Sequence, residues 1–148
     1  MRNRNDEKGF MPRPDAQLCV GSPKFADPSL QSAIADRGLP ATWALALANG
    51  PRQALAGVEG DFAVALREAS GRTLLAVDRF SIRTLCYRLD RDLLRFAERA
   101  DALADPGHEI DPQAIFDYLY FHTIPSPRTI FKGIHRLPAG NYALFDNG

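Results

Sequence analysis

Two cysteines, an Asp-Arg pair at the end of an apolar run and three histidines are the side chains of this sequence that invite a chemical reading. A catalytic cysteine reacts as its thiolate, so it needs a base or a cation beside it. Cys19 lies within Leu18-Cys19-Val20 and Cys86 within Leu85-Cys86-Tyr87. Apolar neighbours raise a thiol pKa, so both read as small buried hydrophobes. Asp78-Arg79 directly follows the run Leu74–Val77. A charged pair abutting a core strand must find partners, so an ion pair or a hydrogen-bonded turn is expected there. His122 falls on one face of a helical pattern, and His108 and His135 fall in expected loops. Their spacing is not that of a zinc site. No glycine-rich phosphate loop occurs. Arg83 and Arg128 read as solvated charges.

Composition narrows the class. The chain has 148 residues, eighteen basic and eighteen acidic, with 45% apolar content. One domain is expected at this length, burying about two-thirds of the unfolded surface. Balanced charge with no basic stripe argues against nucleic acid as a partner. No apolar run approaches the ~20 residues of a membrane helix, and no signal-peptide core follows Met1. Two distant cysteines give neither a disulfide framework nor a metal site. A cytoplasmic, reducing setting is expected.

The elements that would position these groups centre on Gly60–Leu103. Short apolar runs bounded by turns read as strands buried on both faces. Phe62–Leu66, Leu74–Val77, Leu85–Leu89 and Leu93–Phe96 fit, and they predict a meander of four antiparallel strands. Residues 1–15 are polar and read as a mobile leader, with the folded domain over 16–148. Gln17–Val20 predicts a further strand. Asp27-Pro28 starts a helix, with Asp27 as cap, and Gly38 ends it. Pro40 begins a second helix through Trp43 to Asn49-Gly50, and Arg52–Ala56 makes a short helical turn. Arg99–Ala104 predicts another brief helix. Asp111-Pro112 repeats the cap-and-proline start. There Ile115, Tyr118, Leu119 and His122 share a face, and Phe116 and Tyr120 widen it, so this helix is expected to be covered on two sides. Tyr142–Phe145 predicts a last strand. Strands in antiparallel sheets with helices outside give an α+β fold.

The same central stretch carries a family resemblance. Gly60, Phe62, Ala63, Asp78, Arg79, Leu85, Tyr87, Phe96 and Ala97 stand in order, followed by IDPQAIFDYLYFHTIPSPRTIFKGIHRLPAG. This pattern resembles the glutaminase domain of glutamine-dependent asparagine synthetases, a class II (type 2) glutamine amidotransferase. The resemblance implies a partial four-layer α-β-β-α sandwich of the N-terminal-nucleophile (Ntn) hydrolase kind. It implies that residues 121–148 correspond to the link towards a synthetase domain. The family is a ligase, asparagine synthase (glutamine-hydrolysing), and ATP and Mg are expected only in that separate synthetase domain, with no cofactor in this chain.

The resemblance also implies what is altered. The family's nucleophile is an N-terminal cysteine, whereas this sequence opens Met1-Arg2. The family's oxyanion Asn-Gly pair falls at Gly21-Ser22, which retains a backbone donor but no side-chain amide. Its glutamine-binding aspartate falls near Gly38. Its glycine after Asp-Arg-x is Ser81, which is strained if the turn needs positive φ. Cys19 is the one candidate replacement nucleophile, and Gly21, Ser22, Asp78 and Arg79 are the candidate substrate-binding residues. No metal site is expected. The expected role is a degenerate glutaminase-like domain without glutaminase activity, structurally serving an ATP-dependent amide-forming synthetase domain. Two alternatives are a residual glutamine amidohydrolase completed in trans and an independent small protein-interaction domain. Self-association or a synthetase-domain partner is expected, with an apolar patch exposed around Leu18–Phe25 and one face of Phe62–Leu66.

Overall fold

The computed structural model describes residues 17–68, 70–91 and 93–146. The leader expected at 1–15 lies outside the described residues. The centre of the fold is a pair of strands, β4 (Phe62–Arg67) and β5 (Thr73–Val77). They pair antiparallel, Ala63 opposite Val77 and Leu66 opposite Leu74. Successive strand residues face opposite ways, so a continuous apolar run must be covered on both faces. Phe62, Val64, Leu66, Leu74 and Ala76 face one core cluster, and Ala63, Ala65, Leu75 and Val77 face another. β1 (Leu18–Gly21) joins the outer side of β4, and β9 (Tyr142–Phe145) joins β5. The resulting order is β1-β4-β5-β9.

The expected four-stranded meander is not formed. β6 (Cys86–Asp90) pairs with β7 (Leu93–Ala97) as anticipated, but it does not pair with β5. Residues 78–85 instead carry the chain across to a second sheet of order β7-β6-β8, where β8 is Ile134–Arg136. The two sheets pack face to face. Leu85 and Leu137 are buried between them, with Tyr87, Leu94 and Phe96 against the same cluster. The reason is geometric: β5 has apolar residues on both faces, and a second sheet covers one of them completely. A two-stranded ribbon, β2 (Lys24–Phe25) with β3 (Val58–Glu59), flanks the first sheet.

Helices cover the opposite face. α1 (Pro28–Leu47) is capped by Asp27, whose carboxylate accepts the Ser29 N–H at 2.8 Å. Gly38 breaks the helix, with φ 77°, where the sequence placed the stop between two helices. Beyond the break, Trp43, Ala46 and Leu47 are buried on the sheet, and Trp43 lies against Phe25 and Phe62 at ring separations of 5.0 and 5.1 Å. A short helix, α2 (Pro51–Ala56), follows. A 3-10 turn at Ala100–Leu103 packs Leu103 on the outside of the second sheet, with Cys86 and Ile134. No helix of the described residues is long and apolar enough to cross a membrane.

Two expectations about exposure are overturned. The face Phe62–Leu66 is buried throughout, because α1 and the second sheet cover it. The exposed apolar surface lies instead on α3 (Pro112–Phe121). This helix is not covered on two sides: only Ala114 is buried, and Leu119 is 71% exposed. The remaining aromatics, Phe116, Tyr118, Tyr120 and Phe121, are exposed with it. What holds α3 in place is polar. Asp111 caps it through the Gln113 N–H, and Arg128 bridges Asp111 at 2.7 Å and Asp117 at 3.2 Å. Arg128 is therefore an ion-pair anchor. Truncating a buried leucine costs about 2–5 kcal/mol. Leu75→Ala should accordingly lower the melting midpoint steeply, whereas Leu119→Ala should change stability by less than ~1 kcal/mol. Chemical denaturation of the two variants checks this, and a comparable loss for both would contradict the facing.

Candidate functional site

The Asp78 carboxylate organises one end of the sandwich. It is 1% exposed and accepts four backbone N–H groups. Oδ1 takes Phe80 at 3.0 Å and Ile82 at 3.1 Å. Oδ2 takes Arg83 at 3.0 Å and Phe62 at 3.3 Å. Burial alone would push this carboxyl up, but the N–H groups of Arg83, Ile82, Phe80 and Phe62 outweigh it and hold it below the usual carboxylate range. Asp78 is thus a hydrogen-bonded turn anchor, and its partner is not Arg79, which is exposed. Its backbone works as well: its N–H donates to Phe62 O at 2.9 Å and its C=O accepts Gly140 N–H at 2.8 Å.

The turn that wraps this carboxylate forces Ser81 to φ 52°. Its positive φ is the strain the sequence suggested for a serine standing where the resemblance expects glycine. Arg83 closes the turn outward by an ion pair with Asp61 at 2.7 Å, so it is not a free solvated charge. The arginine hydrogen bond holds the Asp61 carboxyl below its ordinary range.

Beside this turn lies a cleft of ≈ 810 Å³, between α2, the β2–β3 ribbon and the Pro138–Asn141 turn. Ser22 and Arg79 both line it. Asp78 stands behind its wall, tied to Phe62. Gly21 sits opposite Phe62 in the β1–β4 ladder. Phe62 directs both its N–H and its C=O to Asp78, so Gly21 turns its own N–H away from β4. The Ser22 N–H, by contrast, is taken by Asp61 O at 2.8 Å. Chain approach here is tight: a Cβ on Gly60 would stand 2.5 Å from Ser22 O, at φ +86°.

Neither thiol belongs to this cleft. Cys19 packs with the helix-facing core, and burial pushes its thiol up to about 11. Cys86 is also pushed up to about 11 by burial, which outweighs the lowering by Arg136. His108 contacts Lys132 O at 2.8 Å, and His135 stands in β8 against Tyr87, a strand position where a loop was expected. His122 is exposed and ends α3 in a left-handed conformation, so it is a helix terminus and not a boundary residue of a covered face. Among the described residues no group of three or more His, Cys, Asp and Glu is placed to hold a metal ion. Sequence reasoning missed Lys24 and Arg52, which join Arg79 in the cleft. Nothing local marks them, since they come from a ribbon and a helix far apart in the chain.

Two expectations follow. Asp78→Asn replaces an acceptor oxygen with a donor against backbone N–H groups, so it should cost on the order of 3 kcal/mol. An unfolded aspartate titrates near about 3.9. Because the folded-state value is lower, the Asp78 contribution is whole above about pH 4 and is lost as the pH falls through that lower value. Wild type should therefore lose stability on acidification below about pH 4 more steeply than Asp78→Asn, measured by denaturant melts across that range. Ser81→Gly should stabilise. A left-handed serine costs roughly 1–2 kcal/mol, and the greater freedom of unfolded glycine takes back about 0.4–1 kcal/mol. A net gain of about 0.5–1 kcal/mol is expected, and a lowered midpoint would mean the turn is not strained.

Residues 43–148 match the family described as the glutamine amidotransferase domain. The match takes in Asp78, Arg79 and both sheet crossings, and begins after Cys19, Gly21 and Ser22. No curated protein matches the chain. With the match spanning most of its length, from the buried Trp43 to the last strand, the chain belongs to the glutamine amidotransferase domain family.

Proposed function

We propose that this is a glutaminase-type domain of the asparagine-synthetase kind that does not itself hydrolyse glutamine and that supports an ATP-dependent, amide-forming synthetase domain. The observation that carries the reading is the state of the two thiols. The covalent route that the family resemblance implies uses a thiolate in the cleft, next to a base and an oxyanion donor. Cys19 and Cys86 are both pushed up to about 11, and neither lines the cleft. Around that cleft the Asp78 turn persists intact.

The layering supports the Ntn-hydrolase-like sandwich layer by layer: α1 on the first sheet, the second sheet on its other face, and the 3-10 turn outside that. The exposed α3 supports the scaffold role. A helix that shows Phe116, Leu119 and Tyr120 to solvent has apolar area for a large partner surface, and contiguous apolar patches of that kind mark interfaces. In this reading ATP and Mg act on the synthetase domain alone.

Ammonia release from glutamine by the purified chain tests the proposal. Background rates are expected, unchanged by Cys19→Ala. Release well above background that disappears in Cys19→Ala would show a working thiol and overturn it.

A further inference from the structure

We propose that the ≈ 810 Å³ cleft binds a carboxylate ligand with an apolar or aromatic body, a class more apolar than free glutamine. The inference goes beyond the scaffold role and needs no hydrolysis.

Charge gives the first half of the argument. Lys24, Arg52 and Arg79 come from three separate elements and line this one cleft. None of them is in an ion pair among the described residues. Two acids share the wall. Asp61 is already neutralised by Arg83 at 2.7 Å. Glu59 stands opposite Lys24 in the β2–β3 ladder and offsets it. Arg52 and Arg79 remain as two uncompensated guanidinium groups on a concave surface, where like charge focuses the field on an incoming anion. The planar fork of arginine suits a carboxylate.

The apolar lining gives the second half. Phe80 is 78% exposed and Ile82 66% exposed, and both line the cleft above a floor of Phe62 and Val77. Their backbone is fixed by the turn. The Asp78 carboxylate draws their N–H groups inward, and left-handed Ser81 sits between them. Large apolar side chains turned to solvent beside unpaired cations form an amphipathic site. The polar terminal amide of glutamine gains little from covering the apolar walls at Phe80 and Ile82. An aryl or alkyl body covers them.

Trp43 is the only tryptophan, and its ring lies 5.1 Å from that of Phe62 on the cleft floor, so its fluorescence reports occupancy. The full chain is titrated with 4-phenylbutyrate, with its neutral amide and with free glutamine, and calorimetry confirms each titration. Phenylbutyrate is expected to saturate and to bind at least tenfold better than either of the others. The Arg52→Gln/Arg79→Gln double variant should lose at least tenfold for phenylbutyrate, while Arg99→Gln, remote from the cleft, should not. Both arginines are exposed, so a wild-type melt is expected for the double variant. The carboxylate–amide comparison on the wild-type chain tests the same charge term without any variant. Equal binding of the amide, tighter binding of glutamine, no saturable binding of phenylbutyrate, or full affinity in a folded double variant would each overturn the proposal. Ammonia release is silent on all four outcomes, so this test and that of the scaffold role fail separately.

Discussion

One buried carboxylate decides how the two sheets are joined. Asp78 ends β5 and gathers the N–H groups of Phe62, Phe80, Ile82 and Arg83. Those bonds turn the chain out of the first sheet and deliver Leu85 to the space between the sheets. The return crossing lies alongside. Leu137 N–H donates to Leu85 O, and Gly140 N–H donates to Asp78 O, both at 2.8 Å. Both passages of the chain between sheets are therefore latched at one end of the sandwich. A carboxylate can accept several donors at once and gains from its charge, which no neutral side chain of that size does.

The strength of this latch explains a division within the domain. The turn carries local strain at Ser81 and shows Phe80 and Ile82 to solvent, and still keeps its shape. The two sheets behind it hold one thiol each, Cys19 in the first and Cys86 in the second, and burial pushes both up. The hydrogen-bonded turn rims the cleft, and neither Cys19 nor Cys86 lines it. The family match spans the Asp78 turn and both sheet crossings, and the cleft beside that turn gathers Lys24, Arg52 and Arg79.

α3 shows the same economy of anchoring. Its helix is specified locally by the Asp111 cap and Pro112, and it is fastened by Arg128 to Asp111 and Asp117. Leu119 and Tyr120 stay 71% exposed, and the rings against Tyr120 are Phe116 and Phe121 of the same helix. An amphipathic pattern says that a helix has a face to bury. It does not say in which molecule, or against which layer, the burial takes place.

That limit separates the two sources of information. The sequence by itself determined the local elements: the apolar runs of β4 and β5, the Asp27 and Asp111 caps, the break at Gly38 and the need for partners at Asp78. Each depends on neighbours within a few residues, where backbone sterics, capping and periodicity act directly. Only the tertiary structure decided that β5 and β6 belong to different sheets, that β9 closes the first, that the face of Phe62–Leu66 is covered and that of α3 is not. It alone brought Lys24, Arg52 and Arg79 to one cleft. Strand partners and clustered surface charges are long-range choices, fixed by which apolar faces can cover one another. A hydrophobic pattern states the need for cover without naming what provides it.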